Sequence, residues 1–298
     1  MAIPNLPDVS VTIKDGALGS TAGLGTDRCA VVGTCTKGTA NTVYEFTDLQ
    51  TLRDTLGTSV SGGPAVEAAA LILAVSGKPV IVVPTTNATA GSVGTVTLAG
   101  TGPDPGATFT GTPLDGYSIK IKMTLGGSRG TARFRVAFDA DNPAGPTYGD
   151  EIVTAATVST YATDTGLTIA FAVGTYVVGD TYTATCVAPA YTNTNLNTAL
   201  TALAADARAW RFVFAVGEAS AVSGSATMAS SLDTFLTAQA TAHRDAWGLI
   251  QCASDTDANI IAGFSSFSSK RVSVAAGFAS VTSVISGRAF SRGAAWPA

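Results

Sequence analysis

The chain reads as an α/β (α+β) core with a mixed sheet, interrupted by an inserted antiparallel β-rich sandwich or barrel and preceded by an extended N-terminal arm. Three observations carry this reading. Residues 42–84 hold a strand, a capped helix, a glycine break, an apolar helix and a second strand in one run. After Pro84 the composition changes: TTNATAGSVG reads as a linker, and the chain becomes β-rich until about Pro189. From Asn193 strand and helix patterns alternate again, as in a parallel or mixed sheet. The resulting division is an arm and glycine-rich tether at 1–25, a discontinuous core at 26–88 plus 190–298, and a β-rich insert at 89–189. A domain inserted at a surface loop leaves its host intact because the two ends stay close.

Val9, Val11 and Ile13 alternate with Ser10, Thr12 and Lys14, a strand pattern, and Gly16, Gly19, Gly23 and Gly25 detach it from the next strand. A detached strand needs a sheet, either as an edge of its own core or added to a neighbour's sheet. Cys29 to Gly33 is a short buried strand. Thr47 with Gln50 suggests a capping box, Leu49, Leu52 and Leu56 mark one helical face, and Gly57 suggests a left-handed stop. Pro64 opens a second helix where a missing N–H costs nothing, Ala65 to Val75 is apolar almost all round, and Gly77 ends it. Val80 to Val83 lack alternation, as in a strand covered on both faces.

In the β-rich block, Tyr117, Ile119, Ile121 and Met123 alternate with polar neighbours, as do Ala132, Phe134, Val136 and Phe138 after a glycine-bracketed turn. This is a hairpin with one wet face. Leu167, Ile169 and Phe171 continue the pattern, and Tyr182, Ala184 and Cys186 extend it. Beyond it, Leu196, Ala199, Leu200 and Leu203 share a helical face, and 211–216 is a strand. Leu232, Phe235, Leu236 and Gln239 mark a helix, 248–252 a strand, Ile260, Ile261, Phe264 and Phe267 a further helix, and 271–276 a last strand.

The stretch VYEFTDLQTLRDTLG, continued by AVEAAALILAVSGKPVIVVP, resembles the opening domain of the tail sheath proteins of contractile-tailed bacteriophages. GLTIAFAVGTYVVGDTYTATCVAP resembles the end of that family's β-rich inserted domain, and NLNTALTALAADARAWRFVFAVG its return to the core. RVSVAAG and GRAFSRGAAWP resemble a late core strand and the segment after it. The resemblance implies a structural subunit that polymerises as hexameric rings stacked around the tail tube, and contracts to drive the tube through the host envelope. It implies further copies of the chain, the tail tube protein, and baseplate and tail terminator proteins as partners. The location it implies is the virion tail, with assembly in the host cytoplasm. Terminal arms link subunits in that family, which gives Val9, Ser10, Val11, Thr12, Ile13 and Lys14 the role of an inter-subunit arm. Sheath proteins usually continue past the equivalent of GRAFSRGAAWP, so the resemblance implies a missing C-terminal region or a shortened relative. The alternative is a β-rich tail or baseplate module recognising a glycan or host surface.

Composition points the same way. Charged residues make up 13% of 298 residues while Gly, Ala, Ser and Thr abound, so much of the surface is small, neutral and easily desolvated. A net charge of −4 without a basic run gives no footprint for nucleic acid. The longest apolar run is too short to span a bilayer, and MAIPNLPDVS lacks the start of a signal peptide. Cys29, Cys35, Cys186 and Cys252 form no CxxC pair, and free thiols are expected. With one histidine in the chain, a Cys/His metal site is not expected, nor is any cofactor.

The candidate chemical motifs are each incomplete. GALGSTAGLG fits neither GxGxxG nor GxxxxGK[ST]. His243, Arg244 and Asp245 adjoin near a helix end, but no GxSxG elbow or cysteine-protease motif supplies a nucleophile. Asp139, Asp141, Asp150 and Glu151 gather around DADNPAGPTYGDE without EF-hand spacing, which suggests a solvated turn. The expectation is a protein that is not an enzyme.

Overall fold

The computed structural model describes residues 28–101, 105–155, 160–217, 221–253 and 255–293. The arm residues Val9 to Lys14 lie outside the described residues. The opening unit forms β1 (Cys29–Gly33), β2 (Tyr44–Phe46), α1 (Leu49–Leu56), α2 (Pro64–Ser76) and β3 (Val80–Pro84). Two details of α1 differ from the sequence reading. Its N-cap is Asp48, whose carboxylate accepts the Thr51 N–H at 2.8 Å, because a carboxylate on an extended residue outcompetes the Thr47 hydroxyl one position earlier. Gly57 ends the helix in extended backbone, φ −116°, while its N–H still reaches the Arg53 carbonyl at 2.7 Å. α2 starts with Pro64 and stops at Gly77 in the left-handed region, φ 62°, as its sequence requires.

The β-rich block contributes β4 (Ser92–Val93), β5 (Thr97–Ala99), β6 (Ala107–Gly111), β7 (Tyr117–Leu125), β8 (Gly127–Ser128), β9 (Arg133–Ala137), β10 (Ile152–Val153), β11 (Thr160–Ala162), β12 (Leu167–Phe171), β13 (Thr175–Tyr176) and β14 (Thr181–Val187). One antiparallel sheet runs β10-β9-β7-β14-β4, with β5 also on β14, and a second runs β11-β12-β6. Inward residues of both sheets, Ile119, Ile121, Phe134, Phe109, Ile169 and Phe171 among them, share one core, which makes this a sandwich. The chain enters and leaves the block side by side. Thr89 and Ala190 form an antiparallel bridge, with N–H···O distances of 3.1 Å in both directions.

The last third supplies α3 (Asn193–Ala205), β15 (Phe212–Val216), α4 (Val222–Thr241), β16 (Trp247–Gln251), α5 (Asp257–Gly263), β17 (Val272–Ala275), β18 (Phe278–Thr282) and β19 (Ala289–Gly293). Together with the opening unit it makes a six-stranded mixed sheet, ordered β17-β16-β15-β1-β3-β2, in which only β2 runs antiparallel. α3 and α4 cover one face, where Ala30, Val32, Ile81, Val213 and Ile250 meet Leu196, Leu200, Leu232 and Leu236. α1 and α2 cover the other face over β3 and β1, where Val31, Val80 and Val82 meet Leu52, Leu56, Val66 and Ala69. α5 is shorter than its apolar spacing suggests and buries none of its residues; Phe264 caps it, and Phe264 and Phe267 pack part-exposed against the α3–α4 core. The β18–β19 hairpin has no counterpart in the sequence reading. Its Phe290 enters the sandwich core, and Val281 and Ile285 of the hairpin pack on the α1–α2 side of the sheet.

One close approach lies at the centre of the sheet. A Cβ on Gly33 would run into the Val216 carbonyl oxygen on the neighbouring strand, a backbone atom that cannot swing aside. Gly33→Ala is therefore expected to destabilise the fold by about 1–3 kcal/mol, the usual cost of overpacking. Urea denaturation would read this as a lowered midpoint at unchanged slope, and an unchanged midpoint would show that the strands part without cost.

Candidate assembly surface

In open α/β sheets ligands bind at the carboxyl ends of strands where the chain order reverses. Here the reversal falls between β1 and β15, since the chain leaves β1 towards β3 on one side and returns to β15 on the other. That crevice is packed with protein. Tyr191, 3% exposed, donates its hydroxyl to the Val216 carbonyl at 3.1 Å. The start of α2 closes the other wall, with the Ala65 N–H on the Thr34 carbonyl at 3.1 Å. Glu67 is buried in the first turn of α2, where its carboxylate accepts the Gly62 N–H at 3.3 Å. Burial pushes the Cys35 thiol and the Tyr191 hydroxyl well above their ordinary ranges, so both stay neutral.

Of the chemical candidates read from the sequence, GALGSTAGLG lies outside the described residues, and the other two lie at the end of α4 and in the 139–151 loop. His243 sits just past α4 in the left-handed region, φ 60°, and with Trp210, Arg211, Arg244 and Asp245 it lines a cavity of about 340 Å³. The described lining of that cavity contains no serine or cysteine. The Asp245 carboxylate holds Arg271 at 3.0 Å, and Arg244 reaches the Ala204 carbonyl at 3.4 Å. Arg208 next to it forks onto Asp206 at 2.6 and 2.7 Å, and that guanidinium holds the Asp206 carboxyl below the usual carboxylate range. In the 139–151 loop Asp139 is fully buried and organises the turn, accepting the Thr147 N–H at 2.8 Å, while Glu151 pairs with Arg133 at 2.9 Å. Burial and the charge of Asp139 raise the nearby Tyr148 hydroxyl. Among the described residues no three His, Cys, Asp or Glu side chains are grouped to hold a metal ion, and no helix is long and apolar enough to cross a membrane.

Unmet apolar surface lies elsewhere. α2 reaches β15 only partly, and no described helix covers β16 on that side. Phe212 and Trp247 stand opposite each other in register and are 39% and 53% exposed, with Phe214 and Leu249 half-buried in the next row. β17 leaves one strand edge without a ladder partner among the described residues. By contrast Tyr117, Phe134, Phe171, Tyr176 and Tyr182 of the β-rich block are buried, so these strands present no aromatic row to a glycan. Sequence periodicity identifies β15 and β16 as strands. It cannot show that one side of the pair goes uncovered, since that depends on which helices land where.

A family model, DUF2586, N-terminal domain, matches residues 6–292. No curated protein matches the sequence. Among solved structures the chain is similar to a sheath tail protein from Listeria innocua, at 13% identity and TM-score 0.33, over 78% of this chain and 48% of that one. It is also similar to a sheath tail protein from Desulfitobacterium hafniense, at 14% identity and TM-score 0.38, over 91% of this chain and 57% of that one. The chain thus spans about half the length of these proteins.

The cysteine environments give a chemical check. Cys186 and Cys252 are buried, and burial pushes the Cys186 thiol up to about 11 and the Cys252 thiol above its ordinary value. At mildly alkaline pH both are expected to stay unlabelled by Ellman's reagent in the native protein and to react once guanidinium unfolds it. Rapid labelling of either in the native protein would show that its site opens.

Proposed function

We propose that this chain, which belongs to the DUF2586, N-terminal domain, family, is a structural subunit of a contractile phage tail sheath. The observation that carries the proposal is the sequence of the opening unit and its return segments, which resembles sheath proteins over 43–57, 65–84, 166–189 and 195–217, and again at 271–277 and 287–297. The geometry supports a role in assembly. The crevice where an α/β sheet would hold a small ligand is filled by Tyr191 and the start of α2, while apolar surface stays open at Phe212 and Trp247. Covering such surface with polypeptide is favourable.

In this proposal subunits stack as rings around the tail tube, and the finished sheath contracts to push the tube through the host envelope. Residues 9–14 act as an inter-subunit arm, tethered by the glycines at 16, 19, 23 and 25. The interfaces are small and neutral, so the energy difference between the extended and contracted lattices is a sum of many modest repackings. Partners are further copies of the chain, the tube protein, and the baseplate and terminator proteins. The division into a discontinuous core, 26–88 with 190–298, and an insert, 89–189, belongs to the same proposal. The bridge between Thr89 and Ala190 supports it, because it brings the ends of the insert to one point.

Two outcomes are expected. Electron microscopy at rising concentration, with sedimentation velocity alongside, should show rings or tubes with a regular axial repeat; deleting residues 1–14 should abolish or alter them while circular dichroism stays native. A chain that remains monomeric at every concentration overturns the sheath proposal, and a deletion that assembles normally overturns the arm. Replacing 89–189 with a short linker should leave a soluble α/β spectrum, whereas an unfolded product would show that the core needs the sandwich.

A further inference from the structure

The outer face of the β10-β9-β7-β14 sheet carries charge of one sign. Ile121, Met123, Phe134 and Val136 point into the sandwich core and are buried, which leaves Lys120, Lys122, Arg133 and Arg135 on the other side. Lys122 and Arg135 are exposed and stand directly opposite each other in register, where like charges repel and weaken the strand pair. Glu151 pairs with Arg133 at 2.9 Å, while Lys120, Lys122 and Arg135 have no ion pair among the described residues. Four cations against one carboxylate give this face +3, and the whole chain carries −4, so the remainder carries −7. The face is a charged exception on a surface otherwise rich in small, neutral residues. Its next row is apolar at both ends: Arg133 lies in register between Leu125 and Val153, which are 49% and 46% exposed.

A polypeptide with carboxylates beside an apolar side chain complements such a face, and the chain exposes one. α5 buries none of its residues. Asp255 precedes it and Asp257 opens it; both are exposed, and neither has an ion pair among the described residues. The Asp255 Oδ1 accepts the Asn259 amide and the Thr256 N–H, each at 2.7 Å, and these bonds hold its carboxyl below the usual carboxylate range. Its Oδ2 has no hydrogen bond among the described residues. Ile261, 72% exposed, lies four residues after Asp257 and so on the same face of the helix. Four helical residues rise ~6 Å and two strand residues ~6.7 Å, so the step from Asp257 to Ile261 matches the step from the Lys122–Arg135 row to the Leu125–Val153 row. Both patches are exposed in the subunit, so neither covers the other.

We propose that the cationic face of the sandwich docks α5 of a second copy of the chain, with Lys122 and Arg135 receiving the carboxylates of Asp255 and Asp257 while Ile261 lies against Leu125 and Val153. The partner's carboxylates relieve the repulsion between Lys122 and Arg135, which the subunit alone leaves unanswered. Because the two patches differ and every copy carries both, the contact is heterologous and repeats head to tail. It needs only two copies and does not rest on the sheath proposal.

A charge exchange read by sedimentation velocity tests the contact. One full-length variant carries Lys122→Glu and Arg135→Glu, the other Asp255→Lys and Asp257→Lys; circular dichroism checks that both fold. Wild-type protein is expected to self-associate at low salt and to dissociate as salt rises. Each variant alone should associate about tenfold more weakly or worse, since it sets like charges against each other. An equimolar mixture of the two should recover wild-type association, because each supplies the patch that the other now needs. Undiminished association of either variant, or a mixture no better than its components, would overturn the proposal. A wild-type chain that stays monomeric yet binds dextran sulfate would overturn it too, by assigning the face to an anionic polysaccharide. Rings or tubes that form unchanged from either variant would overturn the contact and leave the sheath proposal standing, whereas salt-sensitive oligomers that obey the charge exchange without forming rings or tubes would do the reverse.

Discussion

The structure depends on keeping one set of parallel strands dry. β3, β1 and β15 hydrogen-bond side by side at the middle of the mixed sheet, and their side chains form two cores, one against α1 and α2 and one against α3 and α4. Where a parallel ladder is buried on both faces, as along β1 and β3, each strand needs cover on both sides. The near-continuous apolar runs CAVVG, VIVVP and FVFAV are the local consequence. The contact between Gly33 and the Val216 carbonyl shows how close the strands sit. The packed crevice above them comes from the same demand. Tyr191 and the first turn of α2 fill the place where other α/β sheets keep a ligand, because here the sheet's upper end is needed to anchor the segment that returns from the sandwich.

The chain leaves for the sandwich and returns from it at one place. Its entry and exit pair at Thr89 and Ala190, and its own aromatic interior closes around Phe134, Phe171 and Tyr182. A few polar contacts steer the two parts together. The Ser61 hydroxyl bonds the buried Asp115 carboxylate, and Ser59 bonds Asp164 through both its N–H and its hydroxyl. Arg288 bonds the Thr147 carbonyl at 2.8 Å and lies over the Phe138 ring. Phe290 of the β18–β19 hairpin completes the sandwich core from outside, so the end of the described chain is packed against both halves.

Much of this is legible in the sequence, and the reasons are physical. Burial writes itself as spacing, so α2, β3, the β7–β9 hairpin and the face Leu196, Ala199, Leu200 and Leu203 can all be read from apolar periodicity. Features fixed by a single residue's backbone are harder. The cap lies at Asp48 instead of Thr47, and Gly57 is extended, because both depend on φ and ψ values that composition does not set. Phe264 and Phe267 look helical by spacing, yet they fold back past a short α5 to cover the sheet. The β18–β19 hairpin lacks a strong alternation, since its apolar residues are shared between two cores. The open apolar face is the least legible part. An exposed Phe or Trp in a strand reads the same as a buried one, and only the placement of α2 shows that no described helix covers Phe212 and Trp247.

That uncovered row changes what the small, neutral surface means. Gly, Ala, Ser and Thr make a surface cheap to desolvate, but such residues also give little affinity on their own, because each buries little apolar area. A lattice that must hold and later rearrange needs weak contacts over most of its interface and a few strong ones at fixed points. Under the sheath proposal Phe212 and Trp247, opposite each other in register and exposed, are the side chains suited to such a point.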